Sequence, residues 1–146
     1  MVKKRVWFLG IFLILFATAV SAQQNQTSGT GSISFSEFSD NMDTRKKTAL
    51  HVKNYWQTMK GQEVSWTGTV VDAKSRRGKA QVLVANKERP RVKGYNIVLV
   101  SNDIDAAASL EIGQKITFSG VIHNYRGRRG RPIIVTLIDV TFSDQM

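Results

Sequence analysis

Four arginines fall within the ten residues HNYRGRRGRP (123–132), spaced by Gly127 and Gly130 and closed by Pro132. Arginine offers a planar fork of donors that matches a phosphate or carboxylate. Glycine lets a backbone approach such an anion closely. The chain repeats the device. WTGTVVDAKSRRG (66–78) and FSGVIHNYRGRRG (118–130) both run from an aromatic through a glycine and an aliphatic strand to Arg-Arg-Gly at one offset. A third basic stretch, NKERPRVKG, occupies 86–94. The candidate ligand-binding cations are therefore Lys74, Arg76, Arg77 and Lys79; Lys87, Arg89, Arg91 and Lys93; and Arg126, Arg128, Arg129 and Arg131. Glu88 is the one acidic residue among them. Tyr95 and Tyr125 adjoin these stretches, and their rings are candidate platforms for stacking a base. The bland reading of the same residues is a set of solvated loops, because charge between strands is harmless.

Residue types that break bonds are sparse. No H-E-x-x-H, G-x-S-x-G or P-loop pattern occurs. The two histidines, His51 and His123, have no obvious partner. Asp103-x-Asp105 could ligate a metal, but a helix cap explains it more simply. Asp72 and Asp139 sit near strand ends without an acidic cluster around them. With no cysteine, thiolate metal sites, disulfides and cysteine nucleophiles are ruled out. We expect no catalytic residue, no metal and no cofactor.

The 146 residues carry 21 Lys and Arg against 11 Asp and Glu, a net charge of +10. The start reads as a secretory signal. Lys3, Lys4 and Arg5 precede an apolar run from Val6 to Val20, and Val20-Ser21-Ala22 is a small-residue cleavage pattern. The run is short for a membrane span. Cleavage between Ala22 and Gln23 would export the protein to the periplasm or medium, with no transmembrane span left. The mature chain keeps 18 basic residues against 11 acidic, a net of +7. That balance favours an anionic partner.

Several elements must position the loops. QQNQTSGTGSIS (23–34) is polar and rich in Gly and Ser, so 23–38 reads as a disordered linker. Met42, Ala49, Val52, Trp56 and Met59 recur at helical spacing, which predicts one amphipathic helix over 39–61. Ser39 or Asp40 would cap it, Gly61 would close it, and Trp56 would pack on the following domain. From there to residue 146 the period becomes two. Strands are expected over Val64–Val70, Ala80–Ala85, Tyr95–Ser101, Lys115–His123 and Ile133–Phe142, with a short helix in NDIDAAASLEIG before the fourth. Mainly β, with five strands in this order and a short helix between strands three and four, the chain fits the OB-fold, a Greek-key barrel. Here an N-terminal amphipathic helix precedes it. Gly68 and Gly120 fall mid-strand, where small barrels bend.

Trp56, GQEVSWTGTVVDAK (61–74), GYNIVLV (94–100) and LEIGQKITFSGVI (110–122) resemble the tRNA_anti-like family of bacterial OB-fold proteins, many of them small and exported. The resemblance covers roughly 38–142 and consists of structural motifs. It implies a barrel, and nucleic-acid binding by analogy with anticodon-binding domains. The Arg-rich loops lie outside that pattern. In OB-folds the loops joining strands one to two and four to five bracket the ligand, and both carry Arg-Arg-Gly here. The expected function is non-enzymatic binding of a polyanion, with single-stranded nucleic acid as the leading candidate. The other class is an envelope-associated protein that docks anionic polymers, lipid headgroups or an acidic protein.

Overall fold

The computed structural model describes residues 32–143. The signal segment, its cleavage site and most of the expected linker lie outside them. Two helices, α1 (Phe35–Asn41) and α2 (Ala49–Met59), precede the strands β1 (Glu63–Arg76), β2 (Lys79–Ala85), β3 (Ile97–Ser101), β4 (Lys115–Arg126) and β5 (Ile134–Ser143). A short helix, α3 (Ile104–Ala108), lies between β3 and β4. The strands close into one barrel in the order β1-β2-β3-β5-β4. All pairs are antiparallel except β3 with β5. This is the OB-fold expected from the strand order.

Period two in the sequence becomes alternation across the barrel wall. Val82 and Val84, Ile97 and Leu99, Phe118 and Ile122, and Val135 and Leu137 point inward and are fully buried. The echoed aromatics Trp66 and Phe118 are direct cross-strand partners on β1 and β4. The echoed glycines serve close packing. A Cβ on Gly68 would meet Val84 Cγ1 at 2.3 Å, and one on Gly120 would meet Val140 Cγ2 at 2.9 Å. The β4–β5 register shifts between Ser119 and Val121, where β5 carries the extra residue: Asp139, at φ 52°, and Val140 lie opposite Gly120. On β1 the irregularity comes later, between Val70 and Asp72.

The segment before the barrel differs from expectation. Instead of one helix over 39–61 there are two, and the first begins inside the stretch read as linker. Ser34 caps α1 by accepting from Glu37 N–H, and Thr48 caps α2 by accepting from His51 N–H. The break falls in the charged run 43–47, where Asp43 folds back on Arg45 and gives up helical spacing. Gly61, at φ 85°, does occupy the position after the α2 C-cap. Phe35 and Phe38 are buried against Trp66, with ring centroids 5.1 and 5.5 Å away. Trp66 Nε1 donates to Ile33 O at 2.7 Å. Asp103 caps α3 by accepting from Ala106 N–H, the capping role expected for it.

Strand direction decides which loops meet. β1 runs opposite to β2 and β4, while β3 and β5 run with it. The β2–β3 and β4–β5 loops therefore leave one end of the barrel. The β1–β2 hairpin and the β3–β4 connection with α3 leave the other.

Candidate functional site

The twelve candidate cations divide between the two ends. Lys74, Arg76, Arg77 and Lys79 are exposed around a tight β1–β2 hairpin, whose turn uses Arg77 and Gly78 at φ 53° and 73°. The other eight belong to the two loops of the opposite end. The two Arg-Arg-Gly motifs are thus not neighbours, and one short ligand cannot touch both tips at the same end. What lies between them is the outer wall of β2, β3 and β5.

That wall is apolar. Leu83, Val98 and Ile134 form a second buried cluster outside the barrel, with Val71, Val92, Tyr95 and Val100 packed against it. The β2–β3 loop covers part of it. Val92 and Tyr95 pair backbone to backbone in a small turn, with Lys93 and Gly94 at positive φ. Asn96 anchors the base of this loop. Its side chain accepts from Asn86 N–H at 2.8 Å and donates to Asn86 O at 2.9 Å while almost fully buried. Neither asparagine stood out in the sequence, since Asn96 satisfies backbone groups ten positions away and Asn86 donates to Thr67 O, nineteen away.

Arg89 is not a free cation. Its guanidinium donates to Ser36 Oγ and to both carboxylate oxygens of Asp40, one at 2.8 Å. Asp40 also accepts from Lys46 at 3.0 Å. The hydrogen bond from Lys46, then that from Arg89, holds the Asp40 carboxyl below its ordinary range. Arg89 thus ties the β2–β3 loop to α1. Lys87 faces a separate, hydroxyl-rich cleft beside Lys115. Arg91 and Lys93 are exposed.

The β4–β5 loop is pinned from the helical side, where Gly130 N–H donates to Thr44 Oγ1 at 3.1 Å. Two clefts flank it. The larger, about 680 Å³, has Arg126, Arg128 and Arg131 around Val92, Pro132 and Ile134, and no carboxylate lines it. The smaller, about 290 Å³, adds Arg129 and, from the α1–α2 turn, Thr44 and Lys47. Lys47 escaped the sequence reading because it belonged to a supposed helix surface. Tyr125 lines both clefts, but Trp56 meets its ring edge to face at 4.7 Å. Tyr95 is half-buried in the outer cluster. Tyr95 is therefore packed against protein, whereas Tyr125 gives one side to Trp56 and still lines both clefts. Trp56 packs on the barrel as the helical period implied.

His51 is exposed on α2, 3.3 Å from Asn41 Oδ1, and His123 is exposed on β4. Among the described residues no group of three or more His, Asp or Glu is placed to hold a metal, and no helix is long and apolar enough to cross a membrane.

No family model matches the chain, and no curated protein matches it. Solved structures do. A Klebsiella pneumoniae lipoprotein, provisionally described as nucleic acid-binding, superposes with a TM-score of 0.53 at 15% identity, over 84% of this chain and all of that one. The barrel is shared. Two fission yeast proteins are more distant. The Stn1–Ten1 complex scores 0.38 at 14% identity, over 56% of this chain and 57% of that one. Pot1pC bound to single-stranded DNA scores 0.36 at 8% identity, over 59% and 81%. The resemblance to the tRNA_anti-like family remains one of quoted residues.

Proposed function

We propose that this chain is an exported OB-fold module, without catalytic activity, that binds single-stranded nucleic acid through the basic end of its barrel. One observation carries the reading. The β2–β3 and β4–β5 loops converge so that arginines surround a cleft with an apolar floor and no carboxylate. Cations of this kind displace counterions from a phosphate backbone, and glycines keep the loop backbone close to it. The described folds of the neighbours, and the nucleic-acid role attached to the lipoprotein, are consistent with that ligand.

The test is a salt titration with a short single-stranded oligonucleotide. Arg128→Ala/Arg129→Ala should lower affinity and reduce the salt slope by about 0.7 per lost phosphate contact. Arg76→Ala/Arg77→Ala, at the far end, should matter only for ligands long enough to cross the outer wall of β2, β3 and β5. If neither pair alters affinity for any polyanion, the loops are solvated surface and the reading fails.

A second reading has its own support. Tyr95 is packed into the outer cluster and Trp56 takes one side of Tyr125, which leaves less ring surface for a base and suits a ligand gripped by charge. An anionic envelope polymer is such a ligand. Competition between the oligonucleotide and a phosphate-bearing envelope polymer separates the two.

A further inference from the structure

The larger cleft has a composition that bare charge does not require. Its floor is Val92 from the β2–β3 loop, Pro132 from the β4–β5 loop, Ile134 from the start of β5 and Tyr125 from β4, and its rim is Arg126, Arg128 and Arg131. Two independent loops build it, and each is fixed. The first is clamped by Asn96 at its base and by Arg89 on Asp40. The second is pinned to Thr44. Gly127 fits the wall because its α-carbon packs against Ile133. A Cβ there would stand 3.0 Å from Ile133 Cγ2. The volume of about 680 Å³ lies within the ordinary range of small-molecule sites, roughly 300 to 1,000 Å³.

We infer that this cleft is a nucleoside subsite: it holds one base of the strand against Val92, Pro132 and Ile134 while the arginine rim takes the flanking phosphates. This rests on the nucleic-acid reading above and adds a base contact to it. The chemistry follows from adjacency. A ligand that fills the cleft must be apolar on its faces and anionic beside them, at a distance spanned by one arginine. A nucleotide has that form. A polyphosphate or teichoic-type polymer has no face for the floor. Tyr125 lines the same cleft, and aliphatic and proline surfaces beside it serve the faces of a base.

Two probes of equal length and charge isolate the floor: an oligothymidylate octamer and the same octamer made wholly of abasic sites. Wild-type protein should bind the thymidylate about 5- to 150-fold more tightly, the span given by 1–3 kcal/mol per stacked base. Val92→Asn should remove most of that ratio and leave abasic binding unchanged. Val92 is half-buried in a loop and its pairing with Tyr95 is through the backbone, so the fold should tolerate the change. Arg128→Ala should weaken both probes alike. Equal binding of the two probes by wild type, with no response to Val92→Asn, would sink the subsite and leave the polyanion reading intact. Failure of both probes to bind at low salt would remove both readings. Tight binding to vesicles containing phosphatidylglycerol, lost in Val92→Asn, would instead assign the floor to a lipid chain.

Discussion

Gly68 and Gly120 show how a single absent atom shapes the barrel. The Val84 methyl already occupies the place of a Gly68 Cβ, and Val140, with the Ile138 carbonyl 3.1 Å away, crowds that of Gly120. Gly68→Val or Gly120→Val should each lower stability by about 1–3 kcal/mol through overpacking, read as a shift in the denaturation midpoint. An unchanged midpoint in both would mean that the wall relaxes freely. These glycines were legible because an aromatic, a glycine and an aliphatic run recur at a fixed offset. The status of each arginine was not. Arg89 looks no different in sequence from Arg91, yet its carboxylate partner lies 49 positions earlier. Nor did Asn96 signal its role, since a side chain that replaces backbone partners shows no period.

At the scale of elements, α1 stands out. Phe38 is fully buried between Trp66 and Tyr55. Phe38→Ala should cost about 3–5 kcal/mol, a loss measurable by chemical denaturation. A cost below about 1 kcal/mol would show that the barrel holds without the helix. Asp40 on the same helix gives a pH signature. Its folded pKa is depressed by Lys46 and Arg89, and that of Asp43 by Arg45. The stability that these carboxylates contribute is present above the ordinary aspartate value of 3.8 and is lost as pH falls through the lower folded value. Asp40→Asn should therefore melt earlier than wild type near neutrality, and the gap should narrow in acid. A constant gap would remove the ion pair from the cause. The sequence hid α1 because its two phenylalanines follow directly on a Gly/Ser-rich stretch, and seven residues are too few to display a period. It also hid the break between the helices, where the local hydrogen bonds of Asp43 override a spacing that looked continuous.

For the whole molecule, the strand order was readable because each strand alternates and each turn is punctuated. The Arg-Arg-Gly echo placed both motifs on the loops that bracket an OB-fold ligand, but which loops share an end was not readable from it. Strand direction, fixed by pairing across the barrel, sends the two motifs to opposite ends. A ligand length series follows from this. Arg76→Ala/Arg77→Ala should leave the affinity of a tetramer unchanged and weaken that of a longer strand, whereas Arg128→Ala/Arg129→Ala should weaken both. Equal effects at every length would mean that the two ends act as separate sites. The parallel pairing of β3 with β5 has a further consequence, for the order of events in folding. Nothing in β1 to β4 can close the barrel, because β5 alone bridges β3 and β4. Trp66 and the phenylalanines of α1 can meet early, but the wall stays open until the last strand has been made. A chain whose closure waits for its final strand pays for many distant contacts at once, so it should fold slowly, in the millisecond-to-second range of barrels with non-local pairing. Until β5 pairs, the other four strands leave two open edges, on β3 and β4, each with a row of unpaired backbone groups.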